Sequence, residues 1–158
     1  EYILSVDIKG ILIIFDVNDD FKLKYKINTN EYVIYSSILL FNKIDKNNYI
    51  ITSNSYVSNY ENSAYSKIYS LKTGKFIKNI NHTNLNGTYY LEPWYNSSKN
   101  IYYIIECCLE KISIINLSIN EIYHEFVSEN EEEAFTKAFV YKKNNKDYNK
   151  NIYYKKNK

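Results

Sequence analysis

The chain has 158 residues, with 20 lysines, no arginine and 18 acidic residues, so its formal net charge is +2. This length allows one domain with a buried core. The near balance of charge argues against strong non-specific nucleic-acid binding, as does the lack of arginine, which makes bidentate phosphate and guanine contacts. These residues show no signal peptide and no apolar run near the ~18 residues of a membrane helix, so no membrane partner is expected.

The composition is biased toward isoleucine, tyrosine, asparagine and lysine. These four residues share codons made only of A and T, which indicates an A/T-rich genome. Tracts of asparagine and lysine are otherwise typical of disorder. Here isoleucine and tyrosine interrupt the polar tracts at regular intervals, which predicts an ordered β protein.

Strand signals recur along the whole chain. The predicted strands cover residues 2–6, 11–15, 21–27, 32–41, 49–52, 67–71, 75–80, 88–95, 101–108, 112–117, 121–126 and 134–141. The continuous apolar runs at 11–15 and 101–108 predict strands covered on both faces. In 21–27 the lysines are predicted to point outward and protect an edge. Pro93 implies an edge, a bulge or a strand end, so its strand is predicted to be irregular there. Residues 134–141 could be a short helix by composition, but their place in the repeat predicts a strand.

One sequence pattern occurs three times, at 11–27, 67–82 and 112–126: a strand, a tight polar turn and a second strand. Aligning the ends of the first strand of each pattern superposes Phe15-Asp16, Tyr69-Ser70 and Ile115-Asn116. The intervals are about 54 and about 46 residues, close to the roughly 40–45 of a four-stranded propeller blade. The insertion at 53–66 accounts for the longer interval.

These motifs resemble the WD-repeat β-propeller family. Phe15-Asp16 stands where that family has Trp-Asp, and Asn81-His82-Thr83 resembles its Gly-His motif. Ser5, Asp7 and Phe15 match three of the four positions of the family's buried hydrogen-bond network, with phenylalanine in place of tryptophan. The motif is degenerate, and no complete network is expected.

We therefore predict an all-β chain that forms a β-propeller fragment of about three four-stranded antiparallel blades, WD-repeat-like in character. The predicted partial propeller covers 1–141, with blade remnants at about 1–27, 32–80 and 88–126 and a further blade starting at 134–154. Residues 142–158 are predicted to be a Lys/Asn-rich tail or an incomplete blade. Propellers take roughly 4–8 blades, so the sequence is expected to be an excerpt from a longer chain.

No catalytic, cofactor-binding or metal-binding residues are predicted. His82 and His124 are the only histidines, and they do not have the spacing of a zinc site; His124 is predicted to face solvent. A phosphate loop, a nucleophile elbow and a Cys/His pair are not found. Cys107 and Cys108 are adjacent, and neighbours on a strand point to opposite faces, so two reduced thiols in a reducing, cytoplasmic compartment are predicted. The acidic run 129–133 is predicted to be a solvated loop.

Protein or peptide binding is the predicted function, with Tyr56, Tyr60, Tyr65 and His82 as candidate contacts. Tyrosine on a polar loop is typical of recognition surfaces, although a variable insertion is an alternative interpretation of 53–66. The main hypothesis is a non-enzymatic scaffold in a larger assembly. The alternative is a fragment of an enzymatic or carbohydrate-binding propeller whose site lies in missing blades. A two-sheet sandwich is disfavoured, because sandwiches show no four-strand period.

Overall fold

The structure, a computed structural model, describes residues 1–7, 9–29, 33–54, 66–80, 87–108, 110–128, 134–141 and 151–157. These residues form thirteen β-strands and one 3₁₀ turn at Val17–Asp19. The strands are β1 Tyr2–Val6, β2 Ile11–Asp16, β3 Lys22–Asn28, β4 Ile34–Phe41, β5 Asn48–Asn54, β6 Ser66–Ser70, β7 Phe76–Ile80, β8 Tyr90–Asn96, β9 Ile101–Cys107, β10 Lys111–Asn116, β11 Glu121–Val127, β12 Ala134–Tyr141 and β13 Asn151–Asn157.

The strands form successive antiparallel sheets in chain order. The first sheet has the order β1-β2-β3, the second β4-β5-β6-β7, the third β8-β9-β10-β11, and β12 pairs with β13. Strand β4 packs against β8 and β1, while β12 packs against β8 and β9. Each sheet is thus a meander that stacks on the next, with β4, β8 and β12 at one edge and β3, β7 and β11 at the other. This arrangement confirms the predicted all-β propeller fragment.

The core lies between the sheets. On β5, Ile50 packs toward the first sheet and its neighbour Ile51 toward the third. On β9, Ile104 packs toward the second sheet and Ile105 toward β12. Consecutive residues of a strand point to opposite faces, so continuous apolar runs are what a sheet covered on both faces requires. The run at 101–108 is buried as predicted.

The first sheet differs from its prediction on two points. Strand β2 buries Leu12 and Ile14 but leaves Ile11, Ile13 and Phe15 half-buried, because within the described residues only the second sheet packs on it. On β3 the lysines do not all face outward. A register shift opposite Ile14 and Phe15 leaves Lys24 half-buried, while Leu23 is 53% exposed.

Two further predictions concern the strand that contains Pro93 and residues 134–141. Strand β8 is an edge strand, as predicted, but it is not irregular: its register with β9 runs without a shift, with Pro93 opposite Ile104. An edge strand accepts proline because one side has no ladder partner. Residues 134–141 form a strand rather than a helix, and Asn151–Asn157 pairs with it. Within the described residues, no helix is long and apolar enough to cross a membrane.

Candidate functional site

The four binding residues predicted from the sequence, Tyr56, Tyr60, Tyr65 and His82, lie outside the described residues, as does the acidic run 129–133. The three tyrosines fall between β5 and β6 in the sequence. On β5, the Ser53 hydroxyl donates to the Ser36 carbonyl oxygen at 3.1 Å and accepts from the Ser36 amide at 2.9 Å. A binding role for the four residues stays a prediction.

The other sequence motifs are structural. Asp7 Oδ1 accepts from the amides of Lys9 and Ile11 at 2.8 Å, so it closes its own turn. Ser5 is exposed, and the three matched positions therefore form no buried network. His124 is exposed as predicted and meets Phe126 edge to face. Trp94 stacks on Tyr103 and Tyr95 lies on Tyr102, which is packing between β8 and β9.

A β-bulge repeats at the same place in each of the first three sheets. The register shifts opposite Ile14/Phe15, Ile68/Tyr69 and Ile114/Ile115, immediately before the positions superposed by the sequence repeat. The extra residues on the partner strands are Lys24, Ile77 and Tyr123. A bulge shifts the inward and outward alternation of side chains along its strand by one residue. Between the bulge and the turn, the positions that face solvent are therefore those that would point the other way in a regular strand.

Exposed apolar side chains recur along β3, β7 and β11 and in the turns that precede these strands, and we call this set the outer rim. Seven of the eleven exposed large hydrophobic side chains in the described part of the chain lie on these strands or the turns that precede them. They are Phe21, Leu23, Phe76, Ile77, Ile119, Tyr123 and Val127. Apolar side chains clustered on an exposed surface are typical of interaction sites.

A cavity of about 240 Å³, here called the inter-sheet pocket, opens between the second and third sheets beside the outer rim. Its apolar wall consists of Ile44 from the β4–β5 loop, Ile68 from β6, Ile77 from β7 and Leu117 after β10. Ile68 and Leu117 are buried, whereas Ile44 and Ile77 are 44% and 45% exposed. The wall therefore has a closed floor and two accessible sides.

The polar groups of the pocket are held by hydrogen bonds. Tyr49 Oη donates to Asp45 Oδ2 at 2.5 Å, and Lys78 Nζ donates to the Leu117 carbonyl oxygen at 3.2 Å. Burial, with the Asp45 hydrogen bond second, raises the pKa of Tyr49, so its hydroxyl stays a donor at neutral pH. Tyr102 Oη donates to the Phe41 carbonyl oxygen at 3.1 Å. The pocket thus presents a preformed shape, which favours binding.

The sequence did not single out this pocket, although one signal was available. In Phe76-Ile77 two large apolar residues are adjacent at the turn end of a predicted alternating strand, and strict alternation cannot bury both. Both are more than 40% exposed in the structure. Adjacent apolar residues at the turn end of an outer strand therefore mark this kind of surface.

The two cysteines lie in the core, away from the inter-sheet pocket. Burial, followed by the neighbouring Cys108, raises the pKa of the Cys107 thiol to about 12, so it is protonated at neutral pH and is a poor nucleophile. Both cysteines are buried and neither forms a disulfide, in accord with the predicted reduced thiols. Within the described ranges, no group of three or more His, Cys, Asp or Glu side chains could hold a metal ion.

Comparison with known proteins bears on the fold alone. No protein-family model and no curated protein matches the sequence significantly. Among solved structures, the chain is similar to the dihydro-heme d1 dehydrogenase NirN in complex with DHE, with a TM-score of 0.63 and 14% sequence identity. The match covers 87% of this chain and 28% of that one, so this chain spans less than a third of its neighbour's length. The neighbour is propeller-like, which agrees with the stacked antiparallel sheets.

Proposed function

We propose that the chain is part of a non-enzymatic, WD-repeat-like scaffold that binds proteins or peptides within a larger assembly. The outer rim is the observation that carries the proposal, because it presents large apolar side chains to solvent at one edge of three successive sheets. The exposure recurs in each of the first three sheets, and clustered exposed apolar side chains are typical of interaction sites.

The stacked sheets suit this role. Each sheet covers its neighbours, with a separate apolar cluster between each adjacent pair, so the rim strands are held on a rigid support. Rigid presentation lowers the entropy cost of binding. The bulges at Lys24, Ile77 and Tyr123 lie at the same place in the first three sheets, so the rim repeats from one sheet to the next.

The partner class follows from composition and charge. With a net charge of +2 and no arginine, nucleic acid is not the expected partner, and neither is a membrane surface. The WD-like assignment is supported by the sequence repeat, because in each of the first three sheets the bulge lies immediately before the aligned residue, Phe15, Tyr69 or Ile115. Two adjacent buried cysteines without a disulfide suit a reducing, cytoplasmic location.

The test is a selection from a random dodecapeptide phage library on the immobilised full chain. Enriched peptides should bind the wild-type chain and lose binding to a rim variant, Leu23→Ser/Ile77→Ser/Tyr123→Ser. A matched control, Ile3→Ser/Tyr35→Ser, replaces exposed apolar residues of β1 and β4 and should bind normally. Failure to enrich any peptide, or equal binding by the wild-type and rim-variant chains, would contradict the proposal.

A second function is favoured by one observation, the dehydrogenase named in the structural neighbour's title. This proposal makes the chain part of an enzymatic or carbohydrate-binding propeller whose site lies in blades outside these residues. Titration of the protein that includes those blades with hemin, followed by absorption, tests it, together with a glycan array probed with the same protein. Saturable binding of either ligand, with no peptide enriched, would favour this second function over the scaffold.

A further inference from the structure

We infer that the inter-sheet pocket receives a bulky apolar side chain from an acidic partner peptide. This inference rests on the proposed scaffold function and names the surface and partner chemistry of that function. Three features carry it: the size of the pocket, its apolar wall and the charge of the loop and strand beside it.

The size of the pocket indicates one anchoring side chain. Its volume of about 240 Å³ lies below the roughly 300–1,000 Å³ of small-molecule sites. Binding energy at protein interfaces concentrates in a few anchors that fill desolvated pockets. Ile68 and Leu117 form the closed floor, and the accessible Ile44 and Ile77 would flank the entering group.

The charge beside the pocket favours an acidic partner. Lys78 lines the cavity, and Lys43 and Lys46 lie on the same β4–β5 loop as Ile44 and Asp45. Asp45 is the acid in this loop, and both of its oxygens accept hydrogen bonds, Oδ1 from the Asn47 amide and Oδ2 from Tyr49. Asp45 and Lys78 line the pocket with one charge of each sign, and the exposed Lys43 and Lys46 of the flanking loop make the local charge balance positive. Complementary charge steers association and selects the partner.

The loop that carries these lysines is held in place. Lys43 donates its backbone amide to Tyr102 Oη at 3.1 Å, the Asn42 amide donates to the Asn47 carbonyl oxygen at 3.0 Å, and Lys46 has a positive φ of 58° in the turn. These bonds leave the lysine side chains on an ordered backbone. A preformed loop favours a peptide that docks without remodelling the pocket.

The test uses the same dodecapeptide library on the full chain, followed by fluorescence anisotropy with the leading peptide synthesised and labelled with fluorescein. We expect a consensus in which one Phe, Leu or Trp is flanked by Asp or Glu. Ile77→Ser should weaken binding by about tenfold or more, as expected of an anchor contact, and Lys78→Gln should weaken it by several-fold. Ile3→Ser, at the same 45% exposure as Ile77, should leave it unchanged. Raising salt from about 0.05 M to about 0.3 M should weaken binding.

The outcomes separate this inference from the proposed function. Peptides that lack acidic residues, or that bind Ile77→Ser and wild type equally, would overturn the inference while leaving the scaffold intact. An empty selection would overturn both. A labelled single-stranded RNA that binds as tightly as the selected peptide, and that the peptide displaces, would also overturn the inference. The lysines would then bind phosphate groups rather than an acidic peptide.

Discussion

The hydroxyl of Tyr102 lies 3.1 Å from the carbonyl oxygen of Phe41, and the two residues belong to neighbouring sheets. The same hydroxyl accepts from the Lys43 amide at 3.1 Å. One side chain from β9 therefore satisfies a donor and an acceptor of the β4–β5 loop, at the wall of the inter-sheet pocket. This contact links the stability of the sheet stack to the shape of the candidate site.

Removing this hydroxyl should destabilise the chain. Tyr102→Phe keeps the ring, which is 5% exposed, but leaves two backbone groups without their partner. We expect a loss of about 1–2 kcal/mol in the free energy of unfolding, measured by urea denaturation. Tyr95→Phe is the matched control, because its hydroxyl bonds the exposed Asn100, and it should change stability by less than about 0.5 kcal/mol. Equal losses in the two variants would contradict the bridging role.

Gly74 should not tolerate alanine. Its φ of +70° is a left-handed conformation, and a Cβ there would lie 3.0 Å from Tyr25 Cδ1 of the first sheet. Tyr25 also donates its hydroxyl to the Lys72 carbonyl oxygen in the same turn. Gly74→Ala is expected to cost about 1–2 kcal/mol from backbone strain alone, with crowding in addition.

A double-mutant cycle separates the two contributions to the destabilisation by Gly74→Ala, the backbone strain and the crowding against Tyr25. In a Tyr25→Leu background the ring is absent, so Gly74→Ala should cost only its backbone strain. Urea unfolding of the four proteins gives the coupling. An identical cost in both backgrounds would show that the Tyr25 ring does not crowd this turn.

Glu125 should contribute pH-dependent stability. The hydrogen bond from Lys111, at 2.9 Å, and then that from Ser113 lower the pKa of Glu125 despite partial burial. A lowered pKa stabilises the fold above the unfolded value of about 4.3, and this stability is lost as the pH falls through the folded value. Glu125→Gln should cost about 0.5–1 kcal/mol at about pH 7, and the cost should vanish in strong acid. The exposed Glu121→Gln is the control; a cost independent of pH would contradict the pairing.

Cys107 should resist modification in the folded chain. Burial raises the pKa of its thiol to about 12, so little thiolate exists at about pH 8. In a Cys108→Ser variant, iodoacetamide labelling followed by mass spectrometry should be slow in buffer. It should become rapid in concentrated guanidinium, where the pKa returns to about 8.5. Rapid labelling of the folded variant would show that the thiol is accessible.

Some of the candidate site could be inferred from sequence, and some could not. The polar turn predicted in each repeated pattern agrees with the structure, where β2 and β3, β6 and β7, and β10 and β11 are paired neighbours, because Asp, Asn and Gly specify turns locally. The exposure of Leu23 and Ile77 was not predicted, since a bulge depends on how two strands pair. The pocket was also missed, because its walls come from residues as far apart as Ile44 and Leu117.

The sequence by itself determined the strand content, the antiparallel meanders and the positions of the repeats. The signals for these features, which are alternating apolar and polar residues, apolar runs and turn residues, act over a few neighbouring positions. Only the tertiary structure decided which side chains of β2 are left half-buried, where each register shifts and how Tyr102 reaches Phe41. These features depend on contacts between sheets that are distant along the chain. Packing of whole sheets, rather than local propensity, sets their geometry.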